Sequence, residues 1–353
     1  MDFRFGDDPL LFQSTLRDFL AKEHTPEVLR ALWETSSRRS PELWQKLAAL
    51  GVPGLLVPDA QGGLGMSEIE GVLLHEEAGR AALAEPLVAT SAVAVPLLRE
   101  LGGALAAEWL PRIAAGEARV AVGHPALRFV EDAEGADLLL LPHGEDALYA
   151  VTPAAARIVA QPANDPSRRI ASVSFDAAAA TRVAQGAQAR ALLAAALDRG
   201  ALASAAQALG ASDRMLELSV AYTSQRKQFG KPIGSYQAVK HMLANAKVKL
   251  EYARPLVMRA AWSVAQGVAQ RAPHVSMAKL SACEAARFAS RMALQCHGAI
   301  GYTWEQDLHL FMRRAESQAQ AWGRAPFHLA RVRAAILDGS LAIGPGATFQ
   351  GGS

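Results

Sequence analysis

"QRKQFGKPIGSYQAVK", residues 225–240, interrupts two long alanine-rich stretches. Before it, Leu202, Ala206, Leu209, Leu216 and Val220 recur at helical spacing; after it, Val239, Leu243, Ala246, Leu250 and Ala253 do the same. Met277, Leu280, Phe288 and Met292 extend the pattern into a third helix. Apolar faces this broad on helices this long predict a bundle, with four helices as the natural packing solution. A turn between two helices needs only glycine or proline. This one adds Arg226, Lys227, Lys231 and Phe229 around a Gly-Lys-Pro-Ile-Gly break, and cations gathered at a backbone break point to an arriving anion. The plain alternative is a solvated helix end whose cations complement the macrodipole.

Upstream, the chain is helical again. Phe12, Leu16, Phe19 and Leu20 share one face, and "SPELWQKLAALG" (40–51) opens with Ser40 as N-cap and Pro41 at the first helical position, then stops at Gly51. A glycine- and proline-rich loop, 52–65, leads into a further helical stretch, "MSEIEGVLLHEEAGRAAL" (66–83). The character changes near Gly116. Short apolar runs in "ARVAVGHPAL" (118–127), "ADLLLLPHGEDALYAVTP" (136–153) and "RRIASVSFDAAAATRV" (168–183) predict a small antiparallel β unit of about five or six strands. The expected organisation is mostly α with a small central β domain: a helical domain over 1–117, a shortened β domain over 118–183, a helical bundle over 184–340 and a loose tail over 341–353.

Net charge is +2, with 36 basic and 34 acidic residues, so bulk charge does not favour nucleic acid or an anionic membrane as partner, and any anion site is local. Cys283 and Cys296 fall in apolar helical patterns, where a small buried thiol is the usual reading, rather than a disulfide or a metal ligand. The stretch "MDFRFGDDPLL" (1–11) carries acids where a signal peptide needs bases. "LVATSAVAVPLL" (87–98) is too short for a membrane span and contains proline. The expected location is the cytoplasm.

Three stretches together carry a resemblance. "LWQKLAALGVPGLLVPDAQGGLG" (43–65), "YTSQRKQFGKPIGSYQAVKHMLANAKVKLEYAR" (222–254) and "ALQCHGAIGYTWEQDLHLFMRRA" (293–315) resemble, in order and spacing, the acyl-CoA dehydrogenase family of flavoproteins. The resemblance implies a β domain stacked against a flavin and flanked by two helical domains. It implies α,β-desaturation of an acyl thioester, with FAD as cofactor, an acyl-CoA as substrate and a carrier flavoprotein as electron acceptor. It also explains the opening cluster. In the family, the Arg-x-x-Phe-Gly turn and the glutamine after it touch the ADP half of an FAD held mainly by the neighbouring subunit. Arg226, Gln228, Phe229 and Gln237 match those positions, and Gln295 and Gly298 of "QCHGAIGY" match the other half of the contact. His297 reads as a packed or flavin-neighbouring histidine rather than a base.

The resemblance fails elsewhere in a pattern. The family's catalytic glutamate slot is Trp322 in "MRRAESQAQAWGRAPF" (312–327), with Arg314 in place of an aspartate and Arg324 in place of a threonine; tryptophan cannot accept a proton from carbon. The slot used by a minority of members is Gly200 in "LDRGALASA" (197–205). Asp198 matches a position reaching the CoA part of the substrate, and a partly solvated Asp beside Arg199 is expected to be a weak base. The family's flavin- and substrate-binding segment is replaced by "AVGHPALRFVEDAEGADLLLL" (121–141), with His124 and Pro125 roughly in its place. What a subunit gives to its own pocket is damaged, and what it gives to a neighbour's FAD is kept. The resemblance therefore implies a non-catalytic or half-site subunit of a two-plus-two heterotetramer with a longer homologous partner, on a bulky acyl-CoA such as a steroid derivative. The alternatives are a self-sufficient homo-oligomeric dehydrogenase using Asp198, a non-enzymatic paralogue, and a flavin monooxygenase on the same scaffold.

Overall fold

The computed structural model describes residues 5–344, so the expected loose tail lies outside the described residues from position 345 onward. The helices are α1 (Asp7–Glu23), α2 (Pro26–Trp33), α3 (Pro41–Ala49), α4 (Glu68–Arg80), α5 (Val95–Leu101), α6 (Gly103–Ala114), α7 (Gly186–Gln225), α8 (Gln237–Ala265), α9 (Arg271–His297), α10 (Leu308–Gln320) and α11 (Ala325–Leu337). The strands are β1 (Val120–Val122), β2 (Val130–Glu131), β3 (Leu138–Pro142), β4 (Ala147–Val151), β5 (Ala156–Gln161), β6 (Ile170–Phe175), β7 (Thr181–Gln185), β8 (Lys227–Gln228) and β9 (Lys231–Pro232). The chain forms two compact units. One comprises Met1–Pro26, His75–Leu83 and Ser204–Ser353; the other comprises Glu27–Leu74 and Ala84–Ala203.

The first unit is a helical bundle centred on α9, which packs against α8, α10 and α11. The buried face of α9 is largely alanine, with Ala278, Ala282, Ala285, Ala286, Ala289 and Ala293, and α8 buries Ala246, Ala253, Ala260 and Ala261 together with Leu250 and Val257. The sequence reading put Met277, Leu280, Phe288 and Met292 on the core stripe of α9. They are only half-buried, because the alanine face fits closer to the neighbouring helix and takes the seam. Against α7, α4 packs closer still. A Cβ on Gly210 would lie 1.8 Å from the Glu76 carbonyl oxygen, and one on Gly79 would lie 2.0 Å from that of Gln207. Around this contact run the ion pairs Arg17–Glu77 at 2.6 Å, Arg80–Glu217 at 2.5 Å and Arg254–Asp213 at 2.7 Å, together with Arg254–Glu76.

In the second unit, Ser40 caps α3 as expected, its side chain accepting from the Leu43 amide at 3.1 Å, and Gly51 closes that helix segment with φ +81°. The strands form two sheets, β1-β3-β4-β7 and β2-β6-β5. Seven strands occupy the middle segment rather than five or six, and the unit is not wholly antiparallel: β1 pairs parallel to β3, in the register Val120↔Leu138. The parallel pairing arises because the chain leaves β1, places β2 in the other sheet, and returns as β3. Buried on both faces, β3 needs the uninterrupted "LLLL" it has. Ala121, Leu139, Leu141 and Val151 of one sheet join Val130 and Ala171 of the other in a single apolar cluster. Val88–Ala94 forms a π-helix, fully buried, with the Thr90 hydroxyl donating to the β1 carbonyl of Val120 at 3.2 Å. Pro96 gives its cause: lacking an N–H and crowding the preceding turn, the ring is accommodated by widening that turn. No helix among the described residues is long and apolar enough to cross a membrane.

Candidate functional site

The break between α7 and α8 is a miniature hairpin. Lys227 pairs with Pro232 and Gln228 with Lys231, leaving Phe229 and Gly230 as a two-residue loop with φ +51° and +81°. Two positive φ values make a type I′ turn, a conformation normally assigned to Asn-Gly. Phe229 holds it while 91% exposed, with only an edge contact to the Tyr236 ring at 6.5 Å. A bulky residue in a left-handed conformation costs on the order of 1 kcal/mol, and the edge contact to Tyr236 is the one ring contact it makes among the described residues. Phe229→Asn is therefore expected to raise the unfolding free energy by about 0.5–1 kcal/mol, read by denaturant titration, while weakening the contact the ring is displayed to make. A loss of stability would show that the ring is held for the fold.

Tyr236 braces the hairpin. Its hydroxyl donates to the Gln228 carbonyl at 3.3 Å, and the Lys231 ammonium lies 4.4 Å from its ring centroid. Gln237 follows as the first residue of α8, whose first turn contains no acid and whose N-cap side chain makes no capping hydrogen bond. The first amides of α8 and the exposed Arg226 guanidinium thus lie at the two ends of one short hairpin.

The second half of the predicted site lies at the end of α9. Gln295 is exposed, Cys296 buried, and Gly298 ends the helix with φ +65° and open space where a Cβ would stand. His297 is buried, and its ring stacks on Tyr222 at 4.6 Å while Nδ1 bonds the Ala293 carbonyl at 2.8 Å. Burial lowers its pKa. With Nδ1–H as donor, the neutral ring acts as a packing piece, as the sequence reading held. Tyr222 lies one helical turn before Arg226, so the stack ties the hairpin to the Gln295–Gly298 turn at one end of the bundle. Tyr222 and Tyr236 were not singled out in the sequence. The four-residue step from Tyr222 to Arg226 was the available signal for the first, whereas its partner on α9 had none. Cys283, half-buried, is less enclosed than the sequence pattern suggested.

The two positions that the sequence resemblance matched to a proton-accepting carboxylate, Trp322 and Gly200, are not acids. Trp322, at the end of α10, is 2% exposed with φ +52°, and its indole N–H has no hydrogen-bond partner among the described residues. The turn is held from below. His328, fully buried and pushed down to about 4 by burial and then by the Lys279 cation, is neutral, so its Nε2–H donates to the Trp322 carbonyl at 3.0 Å. Its Nδ1 then accepts from the Ser276 hydroxyl at 3.1 Å, which in turn accepts from Arg331 at 3.3 Å. Lys279 donates to the Gln318 carbonyl in the last turn of α10, and Gln318 donates to Gln207 at 2.5 Å. Arg314 is used structurally, donating to the Leu83 carbonyl at 2.6 Å, and Arg324 is exposed.

Gly200 lies buried within α7. Asp198, expected to be partly solvated, is only 2% exposed, while neighbouring Arg199 holds Glu68 and Glu100, each at 2.7 Å. Its burial follows from the all-round apolar character of this part of α7, which hydropathy at a single acidic position conceals. After β1, the segment carrying His124 and Pro125 is a turn leading to the two-residue β2.

Residues 7–117 match the family model for the acyl-CoA dehydrogenase N-terminal domain, and residues 189–337 match that for the C-terminal domain. The chain is 33% identical over 329 residues to acyl-CoA dehydrogenase IpdE2 of Mycolicibacterium smegmatis, across 93% of this chain and 98% of that protein. It is 33% identical over 305 residues to acyl-CoA dehydrogenase FadE34 of Mycobacterium tuberculosis, an alignment covering 83% of this chain and 42% of that protein. Among solved structures, a Tcur3481-Tcur3483 steroid ACAD variant matches with a TM-score of 0.85 at 25% identity, over 96% of this chain and 99% of that one. The ChsE4-ChsE5 complex of Mycobacterium tuberculosis matches in fold with a TM-score of 0.84 at 24% identity, over 96% and 99%.

Proposed function

Because the chain belongs to the acyl-CoA dehydrogenase family, we propose that it is the half-site subunit of a two-chain FAD-dependent acyl-CoA dehydrogenase, assembled two plus two with a longer homologous partner. It grips the ADP end of an FAD and leaves proton abstraction to that partner. The observation that carries this reading is Trp322: a buried indole, able only to donate, stands in the slot of the family's carboxylate base. The clamp residues support it from the other side, since Arg226, Gln228, Phe229, Gln237 and Gln295 are all exposed. They fit a dinucleotide: a free guanidinium fork for the pyrophosphate, an acid-free helix start, and a glycine whose φ and open flank leave the backbone accessible. When bound, FAD supplies the hydride acceptor for desaturation of the acyl thioester.

The two-chain steroid enzyme among the structural relatives, and the longer relative of which this chain matches 42%, support a second chain of comparable size and a bulky acyl-CoA substrate such as a steroid derivative. The electron acceptor that fits the family is a carrier flavoprotein, and the compartment that fits it is the cytoplasm. The burial of Asp198 is the observation that favours one rival reading, in which this carboxylate supplies the base. Expression of the chain alone and with its partner separates the two. The expected result is little flavin alone and about one FAD per pair of unlike chains together. A single chain that is yellow and bleaches on adding an acyl-CoA would overturn the half-site reading and assign the base to Asp198.

A further inference from the structure

The second compact unit contains a cleft of about 410 Å³ that the flavin clamp does not use, lined by Ser36, Ser37, Arg39, Arg119, Asp132 and Arg169 among others. Its volume lies in the range of small-molecule sites. Three guanidiniums meet here, and they are not equally engaged. Arg39, with 6% of its side chain exposed, pairs with Asp132 and donates to the Arg38 carbonyl at 3.0 Å. Arg169 holds Glu134 at 3.1 Å through one nitrogen. Arg119 has only 23% of its side chain exposed, and its guanidinium makes no hydrogen bond among the described residues. Its nearest carboxylate oxygen, Oε2 of the buried Glu85, is 3.8 Å away. The other Glu85 oxygen accepts from the Ser40 amide at 2.7 Å. Trp44 lies under Arg119, its ring centroid 5.3 Å from the guanidinium carbon, which backs one face of the fork.

The Nε–H of Arg119 is buried with no hydrogen-bond partner among the described residues, a condition that folded chains rarely carry. Here the unspent donors are concentrated: those of Arg119, and the Nε–H of Arg39, which also lacks a partner among the described residues. Glu85 Oε2 is the only buried acceptor of the group without a hydrogen bond among the described residues, and it is already opposed by Arg119. The vacant capacity of the cleft is therefore mainly for accepting groups. A planar fork held against an aromatic ring, with a second arginine and two serines along the same walls, matches the geometry of an oxyanion.

We propose that this cleft binds the oxyanion group, phosphate or carboxylate, of a small organic molecule, with Arg119 as the principal contact and Arg169 as the second. The site is independent of the proposed FAD clamp and of the chain's role in a two-chain enzyme.

The test uses the full chain in calorimetric titrations at constant ionic strength, with inorganic phosphate in one arm and succinate in the other. Saturable binding is expected in at least one arm, and the arm that saturates identifies the source of the oxyanion. Arg119→Gln is expected to weaken that binding at least about tenfold, as loss of charged hydrogen bonds predicts. Arg226→Ala is expected to leave it unchanged. Absence of saturable binding in both arms overturns the proposal, as does an unaltered affinity in Arg119→Gln. Loss of binding in Arg226→Ala also overturns it, because the anion would then be occupying the flavin clamp. Circular dichroism checks folding. If Arg119→Gln does not fold, Arg119→Lys replaces it: the charge is kept but the fork is lost, and wild-type affinity there refutes the assignment.

Discussion

Arg226→Ala is expected to strip FAD from the proposed two-chain enzyme while leaving the chain as stable as before, the largest functional effect of any substitution in the chain. The guanidinium is exposed at the end of α7. Its removal therefore leaves no buried charge uncompensated, and the change in unfolding free energy should stay within about 0.5 kcal/mol. In the complex, the same group would face a pyrophosphate across an interface that excludes water. A charge-assisted fork in that setting contributes about 2–3 kcal/mol, so FAD affinity should fall roughly 30- to 150-fold. Arg226→Lys should recover only part of the loss, since an ammonium keeps the charge without the two parallel donors. The ratio of flavin absorbance to protein after dialysis measures the effect, alongside a thermal melt of the chain alone. Equal FAD retention in Arg226→Ala and wild type would remove the clamp, and with it the division of labour between the chains.

The parts of this molecule that were readable in sequence are those whose physics is local. Ser40, Pro41 and Gly51 mark the limits of α3 through capping and φ, and the cationic turn at 226–231 stands out because its residues exceed what a turn needs. Features fixed by distant partners were not readable. Alanine contrasts weakly with its surroundings in hydropathy, so the true seam of α9 was hidden behind larger residues that are half-exposed. The parallel β1–β3 pair depends on β2 joining another sheet, a decision made by tertiary packing rather than by the strands' own alternation. Asp198 looked solvated because it is an acid next to an arginine, yet Arg199 is paired with Glu68 and Glu100, and the helix around it is buried. For Trp322, the sequence showed an indole at the position where the resemblance expects a carboxylate. The neutral His328 and the serine that hold the altered turn come from α11 and α9, and only the folded chain brings them together.

Gly210→Ala should be the most destabilising single methyl that this bundle can receive. Where α7 crosses α4, the added carbon would stand 1.8 Å from the Glu76 carbonyl oxygen and 2.7 Å from the Arg80 amide nitrogen, both rigid backbone that cannot rotate aside. Gly79 is equally pressed against Gln207 from the opposite helix, so neither helix can yield without losing the reciprocal contact. Relief requires the helices to separate, and that carries Glu76 and Glu77 away from Arg254 and Arg17, leaving buried carboxylates poorly paired. Overpacking and stranded charge together should cost at least about 4 kcal/mol, enough to unfold much of a marginally stable chain. Since α7 ends in the Arg226 hairpin, this variant should lose its denaturation midpoint and its flavin together, whereas Arg226→Ala loses flavin alone. A Gly210→Ala chain within 1 kcal/mol of wild type in urea, a margin far smaller than the predicted cost, would mean that the close crossing of α4 and α7 is not what holds the clamp-bearing helix in place.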